Sequence, residues 1–200
     1  MTSDHKRYSG KKTVLQSYMD EYLVECPKCK QAAFVRTDKS YHYKDAKLTC
    51  YHCHFVEKRS ERIRYQVIVK RNCDNCGNAI EEHIPNNNQK VSSILISCPH
   101  CGIVRTLQPR NEEYFIKYNS CGVSDPIFGL PLWLQCEVKG NAFWALNRRH
   151  LNEIQDYVSS TLRERLTTNY TTMVKKLPNF IKDRKNRAAI LKAIGKLSVK

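Results

Sequence analysis

Eight of the ten cysteines in this 200-residue chain fall into four CxxC pairs, and that pattern limits the fold more than any other feature. The pairs are Cys26/Cys29, Cys50/Cys53, Cys73/Cys76 and Cys98/Cys101, with 20, 19 and 21 residues between successive pairs. A CxxC turn aims two sulfurs at one centre, and a second pair about 20 residues later completes a tetrahedron. Four thiolates in a closed tetrahedron suit zinc best, although an iron site of the rubredoxin kind shares the geometry. Redox catalysis fits poorly. A thioredoxin-type CxxC opens a helix after a buried strand, whereas Pro27 and Pro99 lie inside two of these pairs and Gly77 and Gly102 directly follow two. The expectation is two structural Zn²⁺ ions.

The segments between the pairs say how they close. Residues 31–37, QAAFVRT, read as a strand after the first pair, and 41–50, YHYKDAKLTC, climb back to the second. GNAI, the polar turn PNNNQK and VSSILISC repeat that plan between the third pair and the fourth. The stretch 54–72, HFVEKRSERIRYQVIVKRN, reads instead as one long connection. Sequential closure follows, 26/29 with 50/53 and 73/76 with 98/101, giving two zinc ribbons near 24–66 and 67–109. Neither has many large apolar residues, so metal supplies much of the folding free energy. His52 and His100 sit inside knuckles already served by two cysteines and are expected to face solvent. His54 follows a knuckle and is a weaker ligand candidate. Cys121 and Cys136 lack partners at metal spacing and are expected to be small buried hydrophobes.

The cysteine pattern does not extend to the ends. Residues 1–23 read as an arm, with a short helix over Val14–Leu23. From about 110 to 200 an ordinary apolar pattern predicts a small α+β module, a hairpin with two helices. LPLWLQCEVK (130–139) and AFWAL (142–146) are its strands, joined by Gly140-Asn141. Asn147 is a candidate N-cap for a helix to about Leu166, buried through Leu151, Ile154, Val158 and Leu162. Leu177-Pro178 breaks the chain before a last helix with Ile190, Ile194 and Leu197 on one side. The runs DPIFGLPLWLQ, NAFWALNRRHLNEIQDYVSSTLRER and KLPNFIKDRKNRAAILKAIGKL, joined to upstream CxxC pairs, resemble a group of uncharacterised bacterial proteins labelled as transcription factor IIB-type zinc-ribbon proteins. The resemblance covers about residues 125–197 and implies a ribbon, without an established activity.

The net charge of +15 suits a polyanion partner. Residues 1–25 are neutral, 26–66 carry +6, 67–109 carry +1, and 163–200 alone carry +9. Phe34, Tyr41, Tyr43, Tyr51, Phe55 and Tyr65 interleave with the bases around the first ribbon, the composition that stacks and neutralises nucleic acid. The expected contacts are Lys28, Lys30, Arg36, Lys44, Lys47, Lys58, Arg59, Arg62 and Arg64, with Lys182, Arg184, Lys185 and Arg187 in the tail. The second ribbon, nearly neutral and with the apolar SSILIS strand, reads as a docking unit, so a protein-interaction adaptor is the alternative function. A third reading is a metal-dependent nuclease, because Asp125 with Glu137 and Lys139 matches a D…ExK pattern. The absence of other catalytic motifs favours a non-enzymatic protein. No apolar run reaches 18 residues and the N-terminus shows no secretory signal, so a cytoplasmic protein away from membranes is expected.

Overall fold

The computed structural model describes residues 7–8, 13–38, 43, 45–160, 162–163 and 172–200. The chain divides into two compact units, 1–59 with 118–200, and 60–117. The first begins with β1 (Arg7–Tyr8) and a single 3-10 turn at Leu15–Tyr18. It continues through β2 (Glu21–Glu25), β3 (Ala32–Arg36), β4 (Lys47–Thr49) and β5 (Val56–Lys58), an antiparallel sheet in that order. The helix expected over Val14–Leu23 is therefore a 3-10 turn followed by a strand. Long-range bonding explains the difference. One edge of β2 pairs with β3, and on the other the Leu23 N–H donates to the Leu146 carbonyl (2.7 Å) while Leu23 accepts from the Trp133 N–H (2.9 Å). With both edges paired, Tyr22, Leu23 and Val24 are all buried.

The second unit is built from β6 (Ile63–Asn72), β7 (Ala79–Asn87), β8 (Ile94–Ser97), β9 (Val104–Leu107) and β10 (Arg110–Phe115). Strand β6 is central, flanked by β10 and β7, and β8 pairs with β9 as a separate hairpin. Residues read as connection before Cys73 thus form the longest strand of this unit, and its limits lie outside the expected 67–109. IRYQVIVKRN alternates enough for a strand, burying Val67 and Val69.

The chain returns to the first unit with β11 (Leu134–Val138), β12 (Asn141–Ala145), α1 (Arg148–Ser159), β13 (Leu162–Arg163), α2 (Met173–Lys176), α3 (Asn179–Lys182) and α4 (Arg187–Ser198). Strand β13 pairs in parallel with β1. Tyr8 is buried there, and its hydroxyl donates to the Glu153 carboxylate. The hairpin turn is Lys139-Gly140, both at positive φ (49° and 75°), and Asn141 already pairs with Val138. Two left-handed residues match the twist of a two-residue hairpin, which moves the turn one residue before the expected Gly140-Asn141. Helix α1 stops at Ser159, short of the expected Leu166. Ser160 turns extended, and its hydroxyl takes the Asp156 carbonyl at 2.7 Å. Leu151, Ile154 and Val158 are buried as their spacing predicts, opposite the buried Ile190, Ile194 and Leu197 of α4. The first ribbon and the C-terminal segment, which the sequence division kept apart, share this unit through the bonds of β2.

Asn147 locks the junction. Its side chain accepts from the His150 N–H (2.9 Å) and donates to the carbonyls of Tyr18 and Glu21 (both 2.8 Å). Asn147→Ala removes an N-cap and strands buried groups, so it should lower unfolding free energy by about 3 kcal/mol. Thermal or urea denaturation of the first unit measures that loss.

Candidate metal centres and a basic aromatic face

Each CxxC pair occupies a tight turn with the same bonding. The N–H of the first cysteine donates to the carbonyl five residues on: Cys26 to Gln31, Cys50 to Phe55, Cys73 to Asn78 and Cys98 to Ile103, at 2.7–2.9 Å. The residue after the second cysteine is left-handed in all four: Lys30 (62°), His54 (57°), Gly77 and Gly102 (both 73°). Glycine adopts that conformation freely, which explains its place in the second unit; Lys30 and His54 hold it with a side chain.

The eight sulfurs converge as two groups, Cys26, Cys29, Cys50 and Cys53, and Cys73, Cys76, Cys98 and Cys101. Within each group the sulfurs lie within 4.8 Å of one another. Sulfurs across the knuckles are 3.7 Å (Cys26–Cys53), 3.6 Å (Cys29–Cys50), 3.8 Å (Cys73–Cys101) and 3.7 Å (Cys76–Cys98) apart. A tetrahedron with a centre about 2.3 Å from each sulfur has edges of roughly 3.8 Å. The donor set therefore fits a tetrahedral ion, and the pairing is sequential. The first cysteine of every knuckle is buried, while the second is half-buried or, at Cys101, exposed.

Backbone amides favour the thiolate form here. The Ile103 N–H lowers the Cys101 thiol to about 6, and the N–H groups of Cys76 and Asn75 lower that of Cys73. Cys50 meets a burial penalty first, but the N–H groups of Cys53 and His52 outweigh it and bring the thiol to about 7. Across the knuckle, the Gln31 N–H favours the Cys29 thiolate, yet burial and three neighbouring sulfurs outweigh it and push the thiol up to about 12. The Asn78 N–H is likewise outweighed at Cys76, which rises to about 11. Sulfurs this close resist sharing negative charge, and a cation at their centre relieves that repulsion. His52, His54 and His100 are exposed.

The first ribbon also gathers part of the expected nucleic-acid set. Arg36 pairs across the sheet with Lys47, and Lys47 with Lys58, so the three bases form one row on one face. The adjoining row on that face is Phe34, Thr49 and Val56. Tyr51, 60% exposed, meets Phe34 edge-on at 5.5 Å. Arg36 donates to the Tyr51 hydroxyl (2.8 Å) and to Glu21 (2.9 Å), and its guanidinium lies 4.8 Å from the Phe34 ring centre. Lys28 sits over Phe55 at 4.4 Å, and Lys30 pairs with Glu25 at 3.3 Å.

The remaining candidates lie elsewhere. Lys44 and Tyr41 fall outside the described residues, and Arg59 is half-buried beyond β5. Arg62 and Arg64 belong to the second unit, where Arg62 donates to the Ile116 carbonyl (2.6 Å) and Arg64 to those of Glu61 (3.0 Å) and Ile63 (2.7 Å). In the tail, Lys182 donates to the Lys175 carbonyl (2.6 Å), Lys185 pairs with Asp183 (3.2 Å), and half-buried Arg187 donates to the Ser160 carbonyl (2.7 Å). Arg184 is exposed. The row Arg36–Lys47–Lys58 was hidden in the sequence, because it depends on strand register.

Asp125 has a local job. It is 1% exposed, and its carboxylate accepts from the N–H groups of Ile127 (2.9 Å), Phe128 (2.7 Å) and Leu130 (2.7 Å). Glu137 is exposed, and Lys139 donates to Asn186 at 3.0 Å. Among the described residues, the groups of three or more side chains placed to hold a metal are the two cysteine sets. Asp125→Ala should therefore cost about 3 kcal/mol of stability by freeing three buried N–H groups, while Glu137→Ala leaves stability within about 0.5 kcal/mol. Denaturation of both variants tests that division, and Mg²⁺-dependent DNA cleavage lost in Glu137→Ala would instead support the nuclease. Cys121 is exposed and Cys136 half-buried, which corrects the expectation that both are buried: Cys121 lies in an open turn before Gly122, not in a strand. Among the described residues no helix is long and apolar enough to cross a membrane.

No family model, no curated protein and no solved structure matches the chain.

Proposed function

We propose that this is a non-enzymatic, zinc-stabilised nucleic-acid-binding protein whose contact surface is the outward face of the first ribbon. Zinc in each cysteine set would hold the knuckles, as the S₄ donor set and the resemblance to bacterial zinc-ribbon proteins favour. The observation that carries the reading is the row Arg36, Lys47 and Lys58 beside Phe34 and Tyr51. Like charges directly opposed across an antiparallel pair destabilise it, and a phosphate backbone lying along the row removes that repulsion. Exposed rings next to phosphate-binding bases give unpaired bases a surface to stack on. Among the described residues Lys47 and Lys58 have no acidic partner, and both are exposed.

Binding of labelled single- and double-stranded DNA and RNA across a salt series tests the reading. Log K should fall with log salt at about 0.7–0.9 per phosphate contact. Affinity no greater than that of a charge-matched basic control ends it. A second reading, docking on a protein, is favoured by Leu95 (70% exposed) and Val104 (54% exposed) on the β8–β9 hairpin. Leu95→Asp with Val104→Asp would disrupt that docking and leave nucleic-acid affinity nearly unchanged.

A further inference from the structure

In the second unit the ladder between β6 and β10 stops before β6 does. Arg110 pairs with Ile68 and the pairing ends there, although β6 runs on to Asn72. One further step would set Pro109 opposite Val69, and proline has no N–H to give a ladder. On its other side β6 stays paired with β7, from Val69 with Glu82 to Asn72 with Ala79. Among the described residues no other strand takes the vacated edge.

A groove of about 740 Å³ lies along that edge. Residues 68–72 line it, with Gln108 and Arg110 from the side β10 leaves and Asp74 beyond the end of the strand. Successive strand residues point to opposite faces, so a hollow touched by five in a row follows the edge and not a face. Alternate residues of such an edge hold out an N–H and a C=O. Residues 69–72 thus make a template about 13 Å long at the usual strand rise.

Charge selects the occupant. Lys70, Arg71 and Arg110 line the groove against one carboxylate, that of Asp74. Each base has an acidic neighbour: Lys70 with Glu81 (3.4 Å), Arg71 with Asp74 (2.7 Å) and Arg110 with Glu112 (3.0 Å). These pairs are solvent-exposed, and such pairs are weak enough to exchange for another carboxylate. A second copy of the chain is a poor occupant. Antiparallel pairing of 69–72 with itself would put Lys70 opposite Arg71, like charges that repel across a ladder. We propose that this edge binds an extended acidic segment of a partner protein, which adds as a further strand beside β6. Backbone bonds hold the segment, and its carboxylates meet Lys70 and Arg110, which share a face of the sheet.

The test uses the full metal-loaded chain, ¹⁵N-labelled and titrated with a capped hexapeptide of alternating glutamate and valine. One comparator has lysine for glutamate. The other is N-methylated along its backbone, which keeps every charge and removes the donors. The acidic peptide should shift the amides of residues 69–72 saturably and slow their hydrogen exchange. The lysine peptide should bind about tenfold more weakly or worse, and the methylated one should leave exchange unchanged. Lys70→Gln with Arg110→Gln, both at exposed positions, should weaken the acidic peptide about fivefold. No saturable shift up to millimolar peptide overturns the proposal. Equal affinity for the methylated peptide does so too, because it reduces the site to charge alone, as does unchanged affinity in the double variant. Protection of the same amides by a single-stranded oligonucleotide and not by the peptide would overturn it as well, and assign the groove to nucleic acid. The comparison of peptides needs no substituted chain and involves no residue of the Arg36–Lys47–Lys58 row, so its outcome is independent of nucleic-acid binding at the first ribbon.

Discussion

Cys73→Ala is expected to unfold residues 60–117, whereas Cys29→Ala is expected to leave the first unit folded with a frayed ribbon tip. The difference lies in what else holds each site. The second unit has 58 residues. Its buried hydrophobics are Val67, Val69, Ile80, Ile96 and Leu107, with Cys73 and Cys98. Two of these seven belong to the cysteine set that could hold a metal ion, so loss of an ion bound there would open the centre of the core. A domain of this size is marginal without such a staple. Structural zinc supplies on the order of 10 kcal/mol to comparable sites, as much as a whole domain's usual stability. The first ribbon stands differently. Tyr22 and Val24 are fully buried, and β2 is bonded on its far edge to the segment at 131–133 and to Leu146. Phe128, Leu134, Phe143 and Ile154 continue that core without any cysteine. Metal analysis should fall from about two ions per chain to about one in either variant. Hydrogen exchange then separates them: amides of β6 and β7 should lose protection in Cys73→Ala, and those of β2 and α1 should keep it in Cys29→Ala. Loss of protection in β2 to the same extent would show that the first unit also depends on its ion.

That asymmetry was not legible in the sequence, although the sites were. Spacing alone located the eight cysteines that converge and their grouping into two sets of four, because the CxxC turn is local and its geometry needs only neighbouring residues. The Asn147 cap and the buried face of α1 were legible for the same reason. Residues 21–25 were not. Their apolar positions also fit a short helix, and what makes them a strand is bonding to Trp133 and Leu146, more than 100 residues away. The row Arg36–Lys47–Lys58 required the register of three strands; in sequence these bases are merely three among ten between residues 26 and 66. Arg62, Arg64 and Arg187 looked equally basic, yet each donates to a backbone carbonyl. Charge counts could not distinguish a guanidinium that holds the fold from an ammonium free to meet phosphate.

Lys47→Glu should separate binding from stability, moving them in opposite directions. Lys47 stands directly between Arg36 and Lys58 across the sheet. A carboxylate there meets a cation on either side, and opposite charges so placed stabilise a strand pair by about 0.2–1 kcal/mol. The thermal midpoint of the first unit should hold or rise. Nucleic-acid affinity should fall more than tenfold at low salt, because one phosphate contact is lost and a repulsive charge takes its place. The slope of log K against log salt should drop by about one contact. Tyr51→Ala should behave otherwise: affinity for single strands falls by about 1–3 kcal/mol, and the salt slope stays nearly unchanged. A destabilised ribbon would lose both properties together in either variant, so rising stability with falling affinity assigns the effect to the face itself. Unchanged affinity in Lys47→Glu, with the fold intact, would remove this row from the binding surface and leave the exposed Leu95 and Val104 of the second unit as the better guide to a partner.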